Sequence, residues 1–372
     1  SPAQLALDPT DVFLSMPGVT DGTGDFHDSA LTVDTASRRA TSSTSMCSPS
    51  IARAVRPGSS EVVAGSLQGL RFNGSTSVRI PAGLCGVVGL KTTRGLISRH
   101  GLIELCPTHD TVGPLTRTVR DSAAMLDATG RPEIDDPYPA PPKARPYMEE
   151  IEQSPGRLRI AWSSETASGR PIDPEIQAAL ERTADLLKGL GHEVVEQGMG
   201  IDYRALYTAR GPVSGANFAA MMGRLIDEIG REPEPHELEP LTWAALKGGR
   251  KVTGEQALRG MQELRMLNRQ TLAFFNDWDI YLSPVLGTPV PEVGFIDPVA
   301  LEPRELNRRQ GQVFPFTPPF NFSGQPSLSL PLEMSANGLP VGMMFTARYA
   351  DEATLCRLAA QLEKEAPWQG RR

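Results

Sequence analysis

The residues best suited to chemistry in this sequence are serines. Ser77 lies in FNGSTSVRIPAG, where a polar, glycine-containing turn runs into Ser-Val-Arg-Ile-Pro and then into an apolar run. Ser59 lies upstream, in RPGSSE. A serine attacks a carbonyl only with a base to take its proton and donors to hold the oxyanion. A histidine base is not marked: no G-x-S-x-G elbow occurs and the five His are scattered, although a triad can assemble from distant positions. The other solution is a set of backbone N–H groups ahead of the serine with a lysine as base. By residue type alone each candidate also has a plain reading: Ser77 as a strand or turn serine, Ser59 as a loop serine, Arg79 as a surface ion pair.

These residues need a rigid frame, and the chain is long enough to build one. It has 372 residues, 40% apolar and 22% charged, ordinary for a soluble globular protein. A net charge of -7 argues against a nucleic-acid binder. No apolar run approaches a membrane span and no signal peptide is visible. The chain starts without Met, as a processed or truncated product would. Cys47, Cys85, Cys106 and Cys356 form no C-x-x-C pair, which suits a reducing cytoplasm, and neither they nor the His have the spacing of a metal site. Residues 60–130 alternate short apolar runs with Gly and Pro, the pattern of buried strands and tight turns. TRTVRDSAAMLDATG then reads as a helix closed by Gly130. The Pro-rich 131–147 reads as a surface connection, and GRLRIAWSSE after it as a strand. A helix follows, with Asp173 as N-cap, Pro174 at its first position, Ile176, Leu180, Ala184 and Leu187 on one face, and Gly189 and Gly191 as its stop. HEVVE starts a strand, helices fill most of 201–278, and DWDIYLSPVLG is an apolar strand. Two strands joined at Asn337-Gly338 and an amphipathic terminal helix complete an α/β chain with a largely buried sheet.

Several segments, in order, resemble the amidase signature family. TSVRIPAGLCGVVGLKTTRGLISRHGLIELCPTHDTVGPLTRTVRD is similar to its Gly-Gly-Ser-Ile-Arg-Ile-Pro block and the segment after it. YLSPVLGTPVPEVG is similar to a family loop, and FPFTPPFNFSGQPSLSLPLEMSANGLPVGMMFTARYADEATLCRLAAQLEKEAPW to its C-terminal block. The resemblance implies the amidase signature fold: an α/β unit with a mixed central sheet covered by helices on both faces. It implies one domain over 1–372: a core with the signature motif (1–130), a Pro-rich connection (131–150), and the remaining core with the substrate-pocket region (151–372). It further implies hydrolysis of an amide through a Ser–Ser–Lys triad without a cofactor. Ser77 takes the nucleophile position and Ser59 that of the proton-relaying cis-serine. The N–H groups around Gly74, Ser75 and Thr76 take the oxyanion hole. Arg79 would fix that loop, with Asn73 standing where the family carries a charged partner. Asp110 matches a family aspartate, a turn or cap role being equally open. The base would be a buried neutral lysine, since desolvation lowers a lysine pKa by several units. The implied partner is a small-molecule amide in the cytoplasm, with no nucleic acid or membrane and a homodimer as the assembly considered. The acyl pocket would draw on apolar and aromatic residues of 201–280.

Three departures bear on activity. The family glycines before the nucleophile are replaced by Ser75 and Thr76, and β-branched Thr resists conformations open to Gly. Ser59 stands 18 positions before Ser77, shorter than the family spacing by more than one helical turn. The catalytic lysine is missing: Leu7 falls at its position, beside the matching Asp8, and the first lysine of the chain is Lys91. Arg38 and Arg39 cannot replace it, because a guanidinium does not give up its proton near neutral pH. Lys91 matches a different family lysine, read as structural. The changes cluster before residue 77, as if that region were altered as one unit by truncation, decay or a displaced reading frame. With the base gone, a loss of roughly two to four orders of magnitude is expected, and no measurable turnover of a simple aryl amide. The alternatives are an inactive homologue with a binding or scaffold role and the amidase subunit of a tRNA-dependent amidotransferase.

Overall fold

The computed structural model describes residues 63–65, 78–99 and 109–370 apart from 134, 135 and 137. Eight strands form one mixed sheet: β1 Val63–Gly65, β2 Val88–Lys91, β3 Gly113–Thr116, β4 Arg159–Trp162, β5 Glu193–Glu196, β6 Ile280–Pro284, β7 Ser327–Met334 and β8 Pro340–Ala347. Their order is β1-β3-β2-β7-β8-β6-β4-β5. β4 pairs in parallel with β5 and β6, and the other pairs are antiparallel.

The two faces of this sheet differ in chemistry, and strand alternation is the reason. One face carries Leu90, Leu328, Leu330, Met343, Phe345, Ile280, Leu282 and Ile160, which merge into the largest apolar cluster. Helices α2 (Val119–Thr129), α4 (Pro174–Gly189) and α10 (Glu352–Glu365) cover it, contributing Leu126, Leu180, Leu187 and Leu358 among others. Residues one step along each strand, Gly89, Lys91, Ser327, Ser329, Met344, Thr346, Tyr281 and Ser283, face the other way. All are buried, so β7 is closed on both faces although it spells Ser-Leu-Ser-Leu.

Several expectations are met. α4 starts at Pro174, and Asp173 caps it by accepting the Glu175 N–H at 2.9 Å. Its buried face includes Ile176, Leu180, Ala184 and Leu187, and it ends at Gly189. Asp173→Ala should cost about 1 kcal/mol in a urea unfolding series, the usual worth of an N-cap. Gly338 turns β7 into β8 at φ +77°. Helices fill most of 201–278, through α5 (Tyr203–Ile229), α6 (Pro240–Gly249) and α7 (Gly254–Ala273). α7 approaches α5 closely at Gly260, where a Cβ would sit 2.5 Å from the Ala209 carbonyl oxygen.

One expectation needs correcting. RIPAGLC, read as part of a run of strands and turns, is helix α1 (Arg79–Cys85). Pro81 sits in its first turn, where N–H groups have no intrahelical acceptor, so the ring costs no hydrogen bond. Gly86 closes the helix in the left-handed region (φ 66°). Short helices α3 (Tyr147–Glu150), α8 (Pro303–Val313) and α9 (Pro318–Ser323) complete the set used below. No helix among the described residues is long and apolar enough to cross a membrane.

Candidate active site

The site is built where α1 lies on the polar face of the sheet. After α1 the chain turns at Gly86 and Val87, whose N–H donates to the Ala82 carbonyl at 3.1 Å, and doubles back as β2. Gly89 lets helix and strand touch: a Cβ there would fall 2.8 Å from the Val78 carbonyl oxygen and closer still to the Ala82 methyl. Gly83 and Gly342 do the same one strand pair away, a Cβ on Gly342 falling 2.9 Å from the Gly83 Cα. Three glycines thus seat α1 directly on β2 and β8.

Arg79, the first residue of α1, is fully buried. Its guanidinium donates to the Asn321 side-chain oxygen at 2.5 Å and to the Thr317 carbonyl at 2.9 Å, with Met344 Sδ at 3.3 Å. Burial pushes it down to about 9, so it remains a cation at neutral pH. The plain reading of Arg79 as a surface ion pair is therefore overturned. α9 supplies these acceptors, and it is held from a second side. Arg94, just past β2, donates to the Asn321 and Phe322 carbonyls, each at 2.7 Å, and its own N–H donates to Gly324 at 3.0 Å. Two arginines flanking β2 therefore grip one short helix that lies 227 or more residues further along the chain.

Beside them is Lys91, also fully buried, with Nζ donating to the Thr92 carbonyl at 2.9 Å. Burial and the neighbouring Arg79 and Arg94 push its amine well below the usual lysine range, against a smaller opposing pull from Glu352. Glu352, at the start of α10, accepts the Thr93 N–H at 2.6 Å, and burial pushes its carboxyl up. Cross-strand from Lys91 is Ser327, whose hydroxyl bonds the Thr346 hydroxyl at 2.9 Å.

Of the residues singled out from sequence, Arg79 and Asp110 are described. Ser59, Asn73, Gly74, Ser75, Thr76 and Ser77 lie outside the described residues. Asp110 pairs with Arg99 at 4.0 Å. The structure joins Arg79 to Asn321, Thr317 and Met344, none of which sequence reasoning singled out. Lys91 was read as structural, and its placement on the α1 face is visible only once β2 is paired. From region 201–280, Phe274 packs edge-on to Tyr281 at 5.8 Å, and Tyr281, just beyond that region, lies against Phe320 at 6.0 Å and pairs across the sheet with Thr346. No group of three His, Cys, Asp or Glu among the described residues could hold a metal.

Comparison with known proteins gives the family and the fold. The Amidase family model matches residues 58–356. A 6-aminohexanoate-cyclic-dimer hydrolase of Paenarthrobacter ureafaciens is 34% identical over 80% of this chain and 62% of its own length. An acylamidase of Rhodococcus erythropolis is 32% identical over 80% of this chain and 61% of its own. A solved structure of 6-aminohexanoate cyclic dimer hydrolase complexed with substrate superposes with a TM-score of 0.72 at 34% identity, covering 78% of this chain and 63% of that one. The chain thus spans about 62% of the length of the curated relatives it matches. A family model running through α1, β2 and on into α10, together with a shared fold, places it: the chain belongs to the amidase signature family.

Proposed function

We propose that this chain hydrolyses a carboxylic amide C–N bond through an acyl-enzyme on Ser77. The observation that carries the reading is the buried grip of Arg79 on Asn321 and Thr317. It fixes the start of α1, two residues after Ser77, against the polar face of the sheet. Positioning of this kind is what a nucleophile needs, since misplacement by about 1 Å can cost 100-fold. In this reading Ser77 attacks the carbonyl, the N–H groups around Gly74, Ser75 and Thr76 receive the oxyanion, and Ser59 relays the proton. The reaction needs no cofactor. The acyl pocket draws on apolar and aromatic residues of 201–280, with Phe274 and its ring contacts to Phe275 and Trp278 among them, and the relatives' names make cyclic and acyl amides the substrates to try first. The same reading places the chain in the cytoplasm, which its scattered cysteines suit, and allows a homodimer.

The test is labelling of the full chain by a fluorophosphonate, with peptide mapping, beside turnover of the 6-aminohexanoate cyclic dimer and an aryl acylamide. Labelling should map to Ser77 and vanish in Ser77→Ala, with turnover falling on the order of 10⁶-fold, the scale for a lost nucleophile. A folded protein that neither labels nor turns over would sink the reading in favour of an inactive homologue, which the missing glycines and lysine of the N-terminal region favour.

A further inference from the structure

The hairpin that joins β7 to β8 ends in Asn337-Gly338, and both residues are exposed. An asparagine side chain can be attacked by the backbone nitrogen of the next residue, because the attack closes a five-membered ring. A side chain on that next residue hinders the approach, and glycine has none. A Cβ at Gly338 would meet open space, so no neighbouring atom confines the turn there. The Gly338 N–H donates to the Ser335 carbonyl at 2.9 Å, and Ser335 and Leu339 close the loop below it. Freeing that one N–H opens only the tip, and exposed loop tips open at the lowest free energies in a fold.

The other asparagines among the described residues are placed differently. Asn217, Asn268 and Asn321 lie in helices and bond the Val213 carbonyl, the Phe322 carbonyl and Arg79. Asn276 and Asn307 also lie in helical segments, ahead of Asp277 and Arg308. In a helix the nitrogen that would attack is bonded to a carbonyl three or four residues back, so the attack requires the turn to break.

We propose that Asn337 is a site of spontaneous covalent modification, deamidating through a succinimide with water as the co-reactant. This chemistry is independent of the hydrolysis proposed above. Hydroxide takes the Gly338 N–H proton, and the nitrogen attacks the Asn337 side-chain carbonyl carbon. The N–Cγ bond forms, the Cγ–Nδ2 bond breaks, and ammonia leaves with a proton from water. Water then opens the ring. Cleavage at Cγ gives aspartate, and cleavage at the main-chain carbonyl gives isoaspartate, with the chain running through Cγ.

The charged groups around the tip are Glu175 and Arg182 of α4 and Glu333 of β7. Glu175 accepts the Ala336 N–H, and Arg182 is already paired with Glu333 at 2.8 Å. Either product adds a negative charge one residue from the Glu175 contact, and like charges repel. Isoaspartate also inserts a main-chain carbon between Ser335 and Leu339, which disturbs their mutual hydrogen bonds. The tip of the central hairpin therefore loosens as the protein ages.

The experiment incubates the full chain in mildly alkaline buffer, folded and in urea, and maps every asparagine by tandem mass spectrometry, beside Asn337→Gln. In the folded wild type Asn337 should convert more than about 10-fold faster than the five helical asparagines. That factor corresponds to about 1.4 kcal/mol of extra opening free energy. The product should contain isoaspartate as well as aspartate, since only the succinimide yields isoaspartate. The rate should climb with pH, as removal of the Gly338 proton requires. Asn337→Gln should stay unmodified over the same time, because its ring would have six members. Conversion in urea but not in the folded chain would show that the bond to Ser335 protects Asn337, and would overturn the proposal. Aspartate without isoaspartate would overturn it as well, by pointing to direct hydrolysis of the side chain. The wild type decides even if the variant fails to fold.

Discussion

Gly89→Ala should slow hydrolysis about 100-fold while leaving the sheet formed. The residue has no room for a methyl group: a Cβ would sit 2.8 Å from the Val78 carbonyl oxygen and closer to the Ala82 methyl. Ordinary carbon–carbon contact is about 3.5–4 Å, so α1 must lift by roughly 1 Å. The other side of the contact cannot absorb it, because α1 is also seated on β8 through Gly83 and Gly342. Overpacking of this kind costs about 1–3 kcal/mol, and here the opposing atoms include backbone, so the upper end applies. The catalytic effect is separate from the stability effect, since a displacement of about 1 Å at the reacting groups costs on the order of 100-fold. Urea unfolding and amide turnover on the same protein distinguish them. Gly89→Ala with unchanged kcat and a midpoint near that of the wild type would mean that α1 does not position the nucleophile.

Why the sequence discloses α4 but hides α1 follows from where the determining forces lie. α4 is set locally: Asp173 caps it, Pro174 suits its first position, and its apolar face repeats at helical spacing. α1 has seven residues, a proline in its first turn and no acidic residue there, so its local signals are weak. Its helicity is secured by tertiary seating on glycines of three elements, and nothing in RIPAGLC alone announces that. The candidate site divides the same way. Ser77, Arg79 and Asp110 stand out through resemblance to a family motif. The partner of Arg79, Asn321, is 242 residues away, and no spacing rule links two such positions. The burial of Lys91 beside Arg79 and Arg94 is equally beyond reach, because it depends on which face of β2 meets α1. That face is fixed by the pairing of β2 with β7, a register the Ser-Leu-Ser-Leu alternation permits but does not choose.

Arg79→Met should destabilise the fold by about 3 kcal/mol or more, the scale for losing two hydrogen bonds made by a charged group. The guanidinium is fully buried, and its hydrogen bonds to Asn321 and Thr317 are made inside the protein. Methionine keeps most of the volume but leaves both oxygens without this donor, and a hydrogen bond to a charged group is worth about 1.5–3 kcal/mol. Lysine would not restore it: one ammonium cannot reproduce the planar fork, and it sheds its charge readily when buried. Asn321→Ala should be milder, since it removes one acceptor and leaves the Thr317 carbonyl in place. The double mutant separates this contact from the other interactions of Arg79. A cycle of Arg79→Met and Asn321→Ala should return a coupling of about 1–3 kcal/mol. A coupling near zero would show that the Asn321 side chain does not hold the helix through Arg79, and the grip of α9 on α1 would have to run through other contacts, the Thr317 carbonyl among them. The same cycle read on turnover tests the link to function. If α9 orients the start of α1 through Arg79, both single mutants lower kcat more than they raise KM. The double mutant then loses little further, because the orientation is already gone.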